Sequence, residues 1–276
     1  MIPEKDKLPV NMREGVDKPK IICEIGVNHL GDPGYADEYI DTLLAMGPDG
    51  VTFQMPEKAW YQRHPNWPRL DDKYYETAAT KTRAAKIKFG IALADLDEIN
   101  FFEELGVDFY KILSKDIGNK ELMAKVLMAG RPVFVSTGMS DMEGVATFVE
   151  KIGKFKDQIT LIHTQLTHNL DDANLKAIGI MKQRFGLPVA FGYHSLNPNV
   201  LYVALGLEPS HLFFYVRGSR KERHGDEGHA ISLSECGNII SNLRKLSLTL
   251  GNGEKLKITT EEWREQQKKE GSRREA

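Results

Sequence analysis

Short apolar runs alternate along this chain with longer segments of helical period, and titratable residues gather at the downstream end of each run. KIICEIGVNH ends in Glu24, Asn28 and His29, GVTFQ ends in Gln54, and DFYKILS carries Lys111 and Ser114. RPVFVSTG ends in Ser136 and Thr137, ITLIHT brings His163, and PVAFGYHS ends in His194. Runs rich in β-branched and aromatic residues, separated by helix-period segments, read as the parallel strands of a βα repeat. Strands are predicted near 20–25, 50–54, 89–93, 108–112, 131–136, 159–164, 188–192 and 211–216. Helices are predicted over 34–46, 75–86, 96–105, 119–129, 141–152, 173–185, 198–206 and 232–250. That makes the strand–helix count of a closed (β/α)8 TIM barrel, an α/β fold whose active face is built from the loops after the strands.

Local signals agree with these elements. AspLeuAspGlu at 95–98 and SerAspMetGlu at 140–143 read as helix starts, each a capping residue followed by acids at the positive dipole end. Gly106, Gly130 and Gly186 stand where helices should stop. Two connections are long: 55–74, rich in Trp, Pro and Arg, and 217–231, rich in Arg, Gly and His. Both would lie on the active face, where Trp60, Trp67 and Arg63 offer a stacking surface and an anion contact for a sugar.

The 276 residues fit one large barrel, since this fold takes about 250. A net charge of −2 argues against nucleic acid as a partner. No apolar run reaches the ~20 residues of a membrane helix and no signal-like segment opens the chain, so the cytoplasm is expected and no membrane contact. Cys23 and Cys236 lie far apart, which speaks against a disulfide framework. There is no CxxC, HExxH or P-loop, so zinc-finger, metalloprotease and nucleotide-cofactor readings have no support.

Glu24 closes a hydrophobic strand, and a carboxylate there must be paired, metal-bound or poised for proton transfer. Lys111 and Ser114 offer a point charge and a hydroxyl to a phosphate or carboxylate. Ser136 to Met139 combine hydroxyls, a glycine and a helix start, a donor set for an anion that a plain capped turn would also explain. His163 reads as a substrate contact or as a core histidine with a satisfied hydrogen bond; His194 reads as an acid–base group or ligand. Arg217, Arg220 and Arg223 either hold an anion or form an exposed basic loop.

Seven segments carry a family resemblance: IICEIGVNHLGD at 21–32, ELGVDFYKILS at 104–114, RPVFVSTGM at 131–139, LIHT at 161–164, NLKAI at 174–178, FGLPVAFGYHSLN at 185–197 and GHAISL at 228–233. In order and spacing they resemble the sialic acid synthases, N-acetylneuraminate synthase and its pseudaminic and legionaminic relatives. The resemblance implies a (β/α)8 barrel that condenses phosphoenolpyruvate (PEP) with an aldose or other aldehyde. C3 of PEP is the nucleophile, water adds at C2, and a 3-deoxy-ulosonic acid and phosphate result. By the resemblance Glu24 lies near C2 of PEP, Lys111, Ser114 and Ser136 contact its phosphate and carboxylate, and Gln54 and Asp116 contact the sugar. Asn28 and His163 complete the expected substrate set, with Glu24, Lys111 and His194 as the catalytic one.

The departures are specific. The family's strand-two lysine is Thr52, a threonine is Ala92, the segment before the metal histidine is Gly192-Tyr193, and the last strand's E-K-H is Phe214-Tyr215-Val216. The resemblance implies a divalent metal, manganese or magnesium, but leaves His194 as its one histidine ligand, a depleted set for a borderline ion. The organisation expected is an N-terminal arm at 1–18, a barrel at 19–250 and a charged tail at 251–276, without the family's C-terminal antifreeze-like domain. A homodimer through the barrel helices is allowed. The alternative functions are an aldolase on the same barrel, taking a phosphorylated or carboxylated substrate through the late arginines with an imine on Lys111 as one route, and a sugar-binding or assembly protein without catalysis.

Overall fold

The computed structural model describes residues 18–255, 259–265 and 267. The arm expected at 1–18 lies outside them except for Lys18, and so do the stretches 256–258, 266 and 268–276 of the tail. Of the described residues, 18–247 form one compact unit and those from Leu248 on belong to a second. In the second, Thr259 and Glu262 form a reciprocal cap, with the Glu262 carboxylate accepting from the Thr259 N–H and the Thr259 hydroxyl accepting from the Glu262 N–H.

The first unit is a closed ring of eight parallel strands. β1 (Lys20–Gly26), β2 (Gly50–Met55), β3 (Lys88–Leu93), β4 (Phe109–Ile112), β5 (Val133–Ser136), β6 (Ile159–His163), β7 (Val189–Tyr193) and β8 (His211–Arg217) pair in chain order. Pairing of Lys20–Glu24 with His211–Tyr215 closes the ring. The helices between them are α1 (Pro33–Met46), α2 (Lys58–Arg63), α3 (Asp72–Ala84), α4 (Ile99–Leu105), α5 (Lys120–Met128), α6 (Met142–Ile152), α7 (Ala177–Phe185) and α8 (Asn199–Leu205). A two-residue strand, β9 (Ile231–Ser232), pairs with the end of β8 and leads into α9 (Leu233–Ser247).

Where the sequence expectation moves, local chemistry explains it. The connection 55–74 has structure of its own: it holds α2, and α3 begins at Asp72 because Asp71 caps it by accepting from the Tyr74 N–H. The helix expected over 173–185 starts four residues later, after a 3₁₀ turn at 171–173 and a left-handed Asn174. The last helix stops at Ser247, three residues before 250. Asp95 caps the turn after it, the cap of α6 falls one residue later than Ser140, on Asp141, which accepts from the Gly144 N–H, and Gly106 and Gly186 end α4 and α7 in left-handed geometry.

Strand side chains alternate between the ring interior and the helices. Ile22, Phe109, Phe134, Ile162, Ala190 and Phe213 form one buried interior layer. Phe134 sits edge-on to Phe109 at 5.2 Å, to Phe213 at 5.0 Å and to His211 at 4.6 Å between ring centroids. Room for this layer comes from Gly90, where a Cβ would fall 2.2 Å from the Phe109 ring. The interior is therefore a plug of aromatic and aliphatic groups that shuts the lower barrel, and polar chemistry is confined above it. Phe134→Ala should destabilise the chain by about 3–5 kcal/mol in urea unfolding; a loss under about 1 kcal/mol would show that this layer is not tightly packed.

Candidate active site

One alternation step above the apolar layer, the interior positions become polar. Glu24 on β1 follows Ile22 and pairs across to Thr52 on β2; Gln54 is level with Ala92, and Ala92 with Lys111 on β4. Lys111 follows Phe109, Ser136 follows Phe134, Thr164 follows Ile162, and Tyr215 follows Phe213, each by two residues. The Lys111 ammonium donates to Oε1 of Glu24, and both side chains are almost wholly buried. Nζ also lies 5.6 Å from the Phe213 ring centroid and 5.2 Å from that of Tyr215. Ring faces attract the cation, so the ammonium is held by a carboxylate and two aromatic surfaces together.

β1 is irregular just past Glu24, where its register on β2 slips, and Gly26 takes a left-handed φ of 58°. The chain then turns so that Asn28 faces β8: its Nδ2 donates to the Val216 carbonyl at 2.8 Å, and its Oδ1 accepts from the Asp226 N–H at 3.0 Å. Asn28 thereby fixes the long loop after β8 above the Glu24–Lys111 pair. Asp226 turns its Oδ2 inward, buried and without a hydrogen-bond partner. Burial, then the negative charge of Glu24, pushes the Asp226 carboxyl up to about 7, partly offset by Lys111.

Three imidazoles border this cluster. His194, just past β7, shares a 2.8 Å hydrogen bond between Nδ1 and the Thr164 hydroxyl. Its ring centroid lies 4.3 Å from His229, which lies 5.4 Å from His168. Burial first, then nearby cationic groups including Lys111, lowers His194 to about 3 and His229 to about 4, so both are neutral at pH 7. Nε2 of His229 is buried without a partner.

The remaining expected residues divide. Ser136 is buried at the end of β5 and Gln54 is half-buried at the end of β2. Ser114 opens the 3₁₀ turn after β4. Asp116 belongs to a different cluster: Lys115 bridges it, at 3.0 Å, to Glu57 at 2.7 Å in the loop after β2. His163 takes the core-histidine alternative. It alternates away from the interior Ile162, and Nε2 donates to the Ala173 carbonyl at 2.9 Å. Thr137, instead of facing an anion, donates its hydroxyl to the Ile162 carbonyl. Arg220 is committed to Asp32, at 2.5 Å, and stacks on Tyr35 at 4.1 Å.

Sequence reading missed Tyr215, Thr164 and Asp226. The first two obey the alternation from the core layer and could have been found by counting. Asp226 carries no such signal, because its place depends on the loop's path and on Asn28.

The donors at this mouth do not fit a divalent metal. Among the described residues no three His, Cys, Asp or Glu side chains are arranged to hold one. Glu24 is engaged by an ammonium, and Nδ1 of His194 by a hydroxyl. His229 is its one imidazole neighbour, and the two form no group of three with another His, Cys, Asp or Glu among the described residues.

Beside the mouth, a cavity of about 570 Å³ is lined by Leu30, Asp32, Asn66, Trp67, Arg220 and Arg223 among others. The Trp67 indole donates to the Arg223 carbonyl at 2.9 Å, so the two long loops are joined. Trp60 stacks on His64 at 4.3 Å and on Trp67 at 6.0 Å, which places an aromatic row at the rim.

Comparison with known proteins adds to this geometry. The NeuB family model matches residues 49–255. An uncharacterised protein of Methanocaldococcus jannaschii is 30% identical over 259 residues, covering 87% of this chain and 74% of its own. The N,N'-diacetyllegionaminic acid synthase of Legionella pneumophila is 27% identical, covering 85% of this chain and 74% of its own. Among solved structures, the N-acetylneuraminic acid synthetase of Leptospira borgpetersenii superposes with a TM-score of 0.80 over 94% of each chain at 24% identity, a likeness of fold. No described helix is long and apolar enough to cross a membrane.

The buried histidines make stability depend on pH. Burial lowers His29 to about 3 and His211 to about 4, alongside His194 and His229. In the unfolded chain all four protonate near 6.5. A base depressed by folding leaves stability intact above its unfolded pKa and removes it as pH falls from there toward the folded value. Asp226, raised to about 7, works in the opposite direction and offsets one of the four. The unfolding free energy should therefore drop between pH 7 and pH 5 by about 1 kcal/mol or more; a flat or rising profile over that range would refute the buried neutral state.

Proposed function

The chain belongs to the NeuB family, and on that premise we propose that it condenses PEP with an aldose or other aldehyde, forming a 3-deoxy-ulosonic acid and phosphate. The observation that carries this reading is the buried Glu24–Lys111 pair at the C-terminal mouth of a parallel barrel, the end where such barrels place their chemistry.

Each working residue has a definable task. Lys111 supplies the cationic charge for the phosphate and carboxylate of PEP, with Ser136 and Ser114 as hydroxyl donors beside it. Thr52 adds a buried hydroxyl that has no partner within the protein, level with Glu24 where the family carries a lysine. Glu24 lies next to that charge, suited to take a proton from the water that adds at C2. The electron pair of the PEP double bond forms the new carbon–carbon bond from C3, and departure of phosphate breaks the C2–O bond. His194, neutral and tied to Thr164, is an orienting hydrogen-bond group for the acceptor. Gln54 and the joined long loops, with Trp67 and Arg223 at the rim, bound the space for a sugar.

The family's metal has no matching donor set here, so no step is assigned to it. Asp116 and His163, held in other contacts, stand outside this scheme.

Phosphate release from PEP, screened against N-acyl hexosamines and simpler aldehydes, tests the reading directly. Glu24→Gln keeps a hydrogen bond to Lys111 and should bind PEP with affinity close to the parent by calorimetry, while turnover falls by about 100-fold or more. Unchanged turnover, or PEP affinity lost with turnover retained, would contradict the role. Borohydride reduction in the presence of pyruvate checks the aldolase alternative, which alone would trap an imine on Lys111.

A further inference from the structure

We propose that Asp226, carried over the Glu24–Lys111 pair by the loop after β8, is the general acid that protonates the carbonyl oxygen of the acceptor. This rests on the reading of the chain as a PEP-condensing enzyme and supplies a part that the reading lacks. When C3 of PEP attacks an aldehyde, the carbonyl electron pair moves onto oxygen, and the nascent alkoxide needs a cation or a proton. The donors at this mouth do not fit a metal, and Lys111 is already opposed by Glu24.

The carboxyl of Asp226 is built into the site. Its N–H is held by Asn28, and its carbonyl accepts from the N–H groups of His229 at 3.2 Å and Ala230 at 2.9 Å. The side chain is aimed at the seam of β1 and β8: a Cβ on Gly26 would fall 3.0 Å from Oδ2 of Asp226 and 2.8 Å from Cε1 of Tyr215. Gly26 is therefore the opening through which the carboxyl reaches the interior. Oδ2 is buried and has no partner within the protein, so it is free for a ligand. Glu24 from β1, Lys111 from β4, His194 beyond β7, Tyr215 from β8, His168 after β6 and His229 on its own loop are the titratable groups around it. Among these, Glu24 opposes ionisation of Asp226 and Lys111 is the nearby cation that favours it, while His194 and His229 are neutral at pH 7. A carboxyl raised to about 7 by burial and a neighbouring carboxylate is poised to donate and regain a proton near neutral pH.

The step balances. The pair of the PEP C2–C3 double bond forms the bond from C3 to the acceptor carbon, and the acceptor's carbonyl oxygen takes the proton of Asp226. Water adds to C2, and the C2–O bond to phosphate breaks as the new carbonyl forms. Of water's two protons, one passes through Glu24 to restore Asp226 and the other leaves with phosphate.

The test uses the full chain treated with chelator, with PEP and the acceptor found in the screen. Asp226→Asn preserves size and polarity but cannot give up a proton, and should lower kcat by about 100-fold or more with PEP affinity unchanged. The alkaline limb of the wild-type kcat profile, set near 7 by this carboxyl, should vanish. Carbon-13 spectra of labelled aspartate give a readout independent of activity: one carboxyl should titrate near 7 in the wild type and be missing in Asp226→Asn. The proposal is overturned if the variant keeps its kcat and the same limb, or if no carboxyl titrates above the ordinary range. It is overturned equally if chelator abolishes wild-type turnover and manganese restores it. Failure of the wild type to bind PEP at all, by contrast, defeats the underlying function and this proposal with it.

Discussion

Taking a carboxylate and an ammonium out of water costs several kcal/mol per ion, and their attraction recovers that only when geometry and surrounding contacts are good. Glu24 and Lys111, 87 residues apart in sequence, meet those conditions because ring closure puts β1 beside β8 and the barrel interior brings β4 within reach. Phe213 and Tyr215 turn their rings toward the ammonium from β8. Neither ion could stay buried without the other, so the pair fixes the floor of the mouth as firmly as packing fixes the layer below it. The Phe134-centred plug underneath excludes water from that side, which keeps the pair desolvated.

Strand-end polarity made most of this legible in the sequence. Glu24, Lys111, Ser136 and His194 each stand at or just past a strand end, one step above the apolar interior layer, and alternation alone brings Glu24, Lys111 and Ser136 to that level. His163 shows the limit of that logic. It is one position out of phase with Ile162, so it faces the helices and bonds to Ala173. Period-two counting from a known core residue would have excluded it. Asp116 differs again, because its 3₁₀ turn sets it beside Lys115, which also meets Glu57, and no strand periodicity applies there. Asp226 was invisible for a third reason. Its position comes from two hydrogen bonds of Asn28 across nearly 200 residues and from the lack of a side chain at Gly26. Loops obey contacts of this kind rather than a repeat.

The departures from the sialic acid synthase pattern form a consistent set. By the resemblance, Thr52 falls where the family carries a lysine, and Phe214-Tyr215-Val216 fall where it carries an acidic, a basic and an imidazole side chain. Tyr215 then offers a ring face to Lys111 and a wall to Asp226 and His229. The histidines that remain stack against one another and against Tyr215, neutral and desolvated. Among these positions Lys111 is the one buried ammonium.

This has an electrostatic consequence for any anion that enters. PEP carries a carboxylate and a phosphate, and it would meet Lys111 already opposed by Glu24. Two ionised carboxylates beside one ammonium would repel such a ligand strongly in a desolvated site. With Asp226 protonated, the same cluster is neutral before the ligand arrives, and the added anion faces one fewer negative charge. Burial of the Asp226 Oδ2 and the charge of Glu24 raise that carboxyl to about 7, so near neutral pH it lowers the negative charge that an entering anion meets. Asn28 links the two halves of that arrangement, since the loop it pins supplies the carboxyl and the strand it follows supplies Glu24.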